Sequence, residues 1–179
     1  MKPTSASRGR TVCNLYNING TIYDVTHGVW FVRKSDSGLM RAIDWLLSLF
    51  GFSNFMTIWW TTLRLPFGRP TIYFPDTVTD PLAPEWKDFV AHEFVHVDQQ
   101  RTWCGLLKTY AYYTVLPLPV GLSGRWLLER EAWLVSIKAG CTITYAVGTL
   151  WSSYFKPWPK SWMRTWFENR TKESDDAAR

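Results

Sequence analysis

Two of the chain's three histidines, His92 and His96, stand four residues apart, and Glu93 directly follows the first. On an α-helix, residues at i and i+4 project from one face a single turn apart, so both imidazoles can reach one metal ion. A carboxylate beside the first ligand is placed to take a proton from a metal-bound water and pass it to a leaving amine. His-Glu-x-x-His arises by chance at about one in 10⁵ positions at average residue frequencies. Phe89, Val90, Phe94 and Val97 give the same helix apolar surface to bury, and two unpartnered histidines would be costly there. The pattern reads as a hydrolytic zinc site, with His92 and His96 as ligands and Glu93 as general base. The competing reading is a pair of surface histidines on an ordinary helix.

Catalytic zinc takes three protein ligands and keeps one position open for water. No histidine follows His96, His27 lies far upstream in a turn, and Asp98 points away from the ligand face. Between Asp98 and Glu168 the only carboxylates are Glu129 and Glu131. At about 100° per residue, Glu131 shares a sector with Lys138, a charged solvent face. Glu129 lies on the side of Ala132, Trp133 and Ser136, where a carboxylate needs a cation to meet it. Glu129 is therefore the preferred third ligand and Glu131 the alternative. Arg125, one turn earlier, would be the ordinary partner of Glu129 if no metal bound.

With these residues in place, the sequence resembles the gluzincin class of zinc metallopeptidases. In that class two motif histidines and a glutamate from a later helix bind the metal. The segment Glu129-Arg130-Glu131-Ala132 is similar to the Glu-x-x-Ala start of the third-ligand helix in HtpX-like and CAAX-prenyl-processing membrane proteases. The likeness covers about fifty residues, 89 to 138, and is closer to small, minimal gluzincins than to those membrane proteases. It departs from the family at Trp133, where Asp is usual, and the chain lacks those relatives' several membrane spans. The resemblance implies Glu129 as the metal-binding glutamate and a peptide or protein substrate. It also implies a cleft strand that holds an extended peptide by strand addition, for which Thr71–Phe74 stands at the right place in the order. Gln100, seven residues past Glu93, can support the site from the same face. Tyr110, Tyr112 and Tyr113 are candidates for the electrophile that peptide hydrolysis expects opposite the base.

The surrounding elements follow from periodicity and turn chemistry. Residues 21–25 and Val29–Arg33 read as a hairpin around Thr26-His27-Gly28, and 39–50 as a helix stopped by Gly51. Residues 56–65 and 70–74 look extended, joined at Pro66-Phe67-Gly68. The motif helix should span 84–103, and a second helix should run from Ser123-Gly124 to Ala139. Residues 139–155 carry no formal charge and read as a buried or interfacial helix, too short and too polar for a comfortable membrane span. Together these give an α+β, zincin-like single domain with a small sheet and the motif on its active-site helix. Residues 1–10 form a flexible lead, 11–170 the domain and 171–179 a disordered tail.

Composition narrows the partners. A chain of 179 residues suits one domain. Twelve Trp are more than one core readily absorbs, so some are expected at an interface. Trp158, Trp162 and Trp166, with Lys156, Lys160 and Arg164 between them, form a stripe suited to a membrane surface or a protein partner, or else to closing the domain. The +5 charge is scattered and no nucleic-acid motif is present. Cys13, Cys104 and Cys141 form no Cys-x-x-Cys pair and no signal peptide is visible, which fits a reducing, cytoplasmic setting, peripheral to a membrane if the Trp stripe engages one. The rival to an enzyme is a binding or assembly protein that keeps zinc as a structural staple.

Overall fold

Asp24 closes the first hairpin. Its carboxylate accepts from the Thr26 amide at 2.9 Å, and its carbonyl accepts from the Gly28 amide at 2.8 Å, the closure that Asp side chains offer short loops. The computed structural model describes residues 15–18, 21–49, 51, 55–65, 68–114, 119–153 and 158–177. In it the loop joins β2 (Thr21–Asp24) to β3 (Val29–Arg33) as expected, and β1 (Leu15–Ile18) pairs antiparallel with β2. The lead at 1–10, Cys13, Pro66 and Phe67 lie outside the described residues.

A 3-10 turn at Lys34–Asp36 leads from β3 into α1 (Gly38–Ser48), whose first turn is capped by the Ser37 hydroxyl accepting from Met40 N. The helix expected at 39–50 is present, but its fully buried residue is Met40, while Leu39 and Leu46 face outward. The extended run expected at 56–65 divides into a helical turn, α2 (Phe55–Ile58), and a short strand, β4 (Thr61–Leu63). The chain then enters β5 (Thr71–Phe74), which pairs parallel with β3 and antiparallel with β4. The five-stranded sheet has the order β1-β2-β3-β5-β4. Thr71–Phe74 is thus an interior strand and cannot be the open cleft strand; the edge position belongs to β4.

Val29, Phe31, Ile72 and Phe74 bury one face of the sheet against Val78, Val90 and Val97. The last two belong to α3 (Lys87–Gln99), preceded by a 3-10 turn at Pro84–Trp86. The single helix expected over 84–103 is interrupted after Gln99. The Gln100 amide folds back onto the His96 and Val97 carbonyls, and Thr102 Oγ1 then caps a new helix, α4 (Trp103–Thr114), by accepting from Gly105 N. Gly105 is required at this corner, because a Cβ there would stand 2.0 Å from the Gln99 carbonyl oxygen.

α5 (Pro119–Ala139) packs along α3, and Gly140, at φ +125°, ends it. α6 (Ile143–Ser153) buries Ala146, Val147 and Leu150. Among the described residues no helix is long and apolar enough to cross a membrane. α7 (Lys160–Ala177) continues past Thr171, through the stretch expected as a tail, with an Arg170–Glu173 ion pair at 2.8 Å on its surface. Its Met163 and Phe167 are fully buried, and Trp126 of α5 takes ring contacts from Trp158, Trp162 and Trp166 at 5.5, 4.9 and 5.5 Å. The Trp stripe is the closing seam of a second, helical core. Among the described residues the architecture is α+β: a small mixed sheet and seven helices, one of which carries two histidines four residues apart.

Candidate metal centre

α3 reaches the interior because Val90 and Val97 bury one side of it against the sheet. His92 and His96 project from another side, toward α5, and both are 7% exposed. Their Nε2 atoms stand 3.1 Å apart. Glu129 of α5, 3% exposed, brings Oε2 to 3.4 Å from His92 Nε2 and 3.7 Å from His96 Nε2. Donors about 2.1 Å from a tetrahedral ion lie roughly 3.4 Å from one another, and the three observed spacings bracket that value. Two imidazole nitrogens and one carboxylate oxygen, converging out of water, form a candidate metal-binding group. Glu131 is exposed on the other side of α5, and Asp98 is exposed beside Arg101. His27 is hydrogen-bonded to Asp24, and its ring lies 4.3 Å from that of Phe94, tilted by 32°, away from the group.

The electrostatics of this cluster favour positive charge. Burial by itself would lower the pKa of His96, yet the Glu129 carboxylate overrides burial and raises it to about 9. Burial alone would push the Glu129 carboxyl up; His96 and His92 instead hold it well below the usual carboxylate range. The same field that retains a proton here attracts a divalent cation.

Gln99 fixes the orientation of His96. Its Nε2 donates to the Leu128 carbonyl at 2.9 Å, so the atom facing His96 Nδ1, also at 2.9 Å, is the acceptor Oε1. His96 Nδ1 therefore donates to Gln99, and Nε2 is the nitrogen presented to Glu129 and His92. His92 differs: its Nδ1 is buried without a hydrogen-bond partner, and its ring meets Trp133 at 4.6 Å, tilted by 66°.

Glu93 faces the sheet edge. It is 5% exposed, and its Oε2 accepts from the Thr62 hydroxyl of β4 at 2.7 Å. Gln100, which the sequence placed on the Glu93 face, does not touch the metal group. Its amide oxygen accepts from Arg64 N at 2.9 Å, and its nitrogen donates to Thr62 O at 3.2 Å. Tyr110 donates to the Arg64 carbonyl at 2.7 Å, and the Lys108 ammonium lies 5.7 Å from the Tyr112 ring; the Tyr113 side chain is outside the described residues.

Three neighbours escaped the sequence reading. Gln99 stands three residues after His96, a spacing that puts it on the ligand side, so its helical position was the available signal. Thr62 gave none, because its contact with Glu93 depends on β4 taking the sheet edge. Lys34 is fully buried, donating to the Phe55 carbonyl at 2.6 Å with its ammonium 3.6 Å from the Phe55 ring centroid. Lysine is ordinarily a surface residue, so its type pointed the other way. No family model, no curated protein and no solved structure matches the chain.

Proposed function

We propose that the chain is a zinc-dependent hydrolase of peptide bonds, with Zn²⁺ held by His92, His96 and Glu129. The observation that carries this reading is the buried convergence of those three donors at 3.1 to 3.7 Å, with Glu93 one residue from the first. A His₂Glu set suits zinc, which accepts nitrogen and oxygen donors in tetrahedral sites and leaves a fourth position for water. When bound there, zinc lowers the pKa of water toward neutrality and polarises a carbonyl. Glu93 then serves as general base, receiving the proton and returning it to the leaving amine. Thr62 restrains the Glu93 carboxylate, and Gln99 keeps the His96 proton on Nδ1, away from the metal side. Peptide bonds are the favoured substrate because the Glu129-x-x-Ala132 segment resembles gluzincin peptidases.

The deciding measurement is the zinc content of purified wild-type protein beside Glu129→Ala, Glu131→Ala and Glu93→Gln. We expect one zinc per chain in the wild type, lost in Glu129→Ala and kept in the other two. Glu93→Gln should keep the metal while abolishing cleavage of a generic peptide library. A wild type that takes up no zinc from excess metal would remove the reading altogether. Full cleavage by Glu93→Gln would remove Glu93 as the base, and a wild type that binds zinc but cleaves nothing would leave zinc in a structural role.

A further inference from the structure

α3 and α5 lie side by side, and their contacts run in opposite order along the two chains. Gln99 meets the Leu128 carbonyl, His96 and His92 meet Glu129, His92 meets Trp133, and the Ser136 hydroxyl donates to the Asp88 carbonyl at 2.9 Å. Trp133, one turn past Glu129 on the same face of α5, is therefore the residue set against His92. Ser136, on the following turn, is committed to Asp88 and makes no bond to His92 Nδ1.

A histidine that binds a metal through Nε2 carries its proton on Nδ1. For His96 that proton goes to Gln99 Oε1 at 2.9 Å. His92 Nδ1 is enclosed, with no oxygen or nitrogen in hydrogen-bonding reach, and an enclosed N–H left unmet is costly. The Trp133 ring, itself 6% exposed, stands 4.6 Å from the His92 ring at 66°. At such a tilt the edge of one ring meets the face of the other. The face of an indole is the negative part of its quadrupole, and a metal-bound imidazole has an electropositive edge. The favoured sense is therefore the His92 edge toward the Trp133 face.

We propose that Trp133 is a positioning residue of the metal centre: its indole face receives the Nδ1–H of His92 and holds that ring with Nε2 toward Glu129. The inference rests on the metal reading above. The indole is anchored without help from His92, since it belongs to the helical core with Ala146, Val147 and Leu150, so the ligand is oriented in advance. A carboxylate in that place would raise the basicity of the imidazole. The indole orients the ring without adding negative charge, which leaves a bound metal the stronger Lewis acid.

Nuclear magnetic resonance of the zinc-loaded full chain, with the ring nitrogens of its three histidines isotopically labelled, tests the proposal before any substitution is made. The His96 Nδ1 proton, bonded to an amide oxygen, should resonate downfield. The His92 Nδ1 proton, over an aromatic face, should be displaced upfield of it by the ring current. Trp133→Phe keeps a π face, so it should keep most of the displacement and bind zinc within about threefold of wild type. Trp133→Leu should lose the displacement and bind zinc about tenfold more weakly in competition with a chromophoric chelator, with the His96 signal unmoved. A His92 proton as far downfield as that of His96 would reveal an oxygen acceptor and overturn the proposal. Wild-type affinity in Trp133→Leu would overturn it too, because the indole would then only fill space. The wild-type spectrum decides even where Trp133→Leu fails to fold. Both overturning results leave zinc in its site, whereas a chain that takes up no zinc removes the metal reading and this inference together.

Discussion

His96 and His92 share a motif but not a support. The His96 ring is fixed at Nδ1 by Gln99, whose own amide is pinned to the α5 backbone next to Glu129, so one side chain aligns donors from two helices. His92 has the Trp133 ring beside it and no oxygen or nitrogen acceptor for Nδ1. Orienting partners of this kind are worth roughly 10–100-fold in metal affinity. Gln99→Leu, which keeps the volume and removes the acceptor, should weaken zinc binding by about that factor in competition with a chromophoric chelator. Asp98→Ala, one residue away but exposed, should leave affinity unchanged. The histidine pair was readable from helix arithmetic, and Glu129 from the few downstream carboxylates and its face on the second helix; the packing of α5 on α3 buries Glu129 and leaves the alternative, Glu131, exposed. Thr62 was not, because its partner lies 31 residues away and meets it only through the strand order.

At the scale of elements, the unexpected piece is β4. Its sequence reads as part of one long extended run, but the chain uses Phe55–Ile58 as a helical turn and keeps only Thr61–Leu63 as strand. Among the described residues β4 has a partner strand on one side only; on the other the Gln100 carboxamide bonds Thr62 O and Arg64 N, as a neighbouring peptide unit would. The corner that ends α3 explains how: continuing the helix would carry Gln100 away, and the turn at 100–102 aims it at the strand. Gln100→Ala leaves two partly buried backbone groups unpaired, and should destabilise the fold by about 1–3 kcal/mol in denaturant titration. Amide exchange at Arg64 should accelerate more than at residues of β5. The hairpin at Asp24 and the helix ending at Gly140 were readable in advance because their signals are local. The break at Gln100 depends on β4, so periodicity alone continued the helix through it.

For the molecule as a whole, the sheet core and the helical core behind α5 meet at the metal group, and an α+β class follows from the short β-branched and aromatic runs of β3 and β5 and the helical spacing downstream. The parallel pairing of β3 with β5 could not be read, since it requires the whole 34–70 crossover to return alongside β3. Lys34, buried under that crossover, ties stability to pH. Burial lowers its pKa from 10.5 to about 7, with Glu93, Asp76 and Asp44 opposing the shift. The unfolded chain keeps this proton up to about 10.5, so the group's contribution is fullest above that pH and declines as pH falls toward 7. With chelator present throughout, wild-type unfolding free energy minus that of Lys34→Met should therefore rise with pH over this window, on the order of a few kcal/mol. A flat difference would mean that Lys34 titrates alike in both states. Gln100 carries a further consequence. A sheet border with free amides and carbonyls is a template on which other chains can grow. A single glutamine that imitates the next strand at Thr62 and Arg64 stops such growth on that side, making the protein's resistance to aggregation depend on a side chain four residues past its candidate metal-binding histidine.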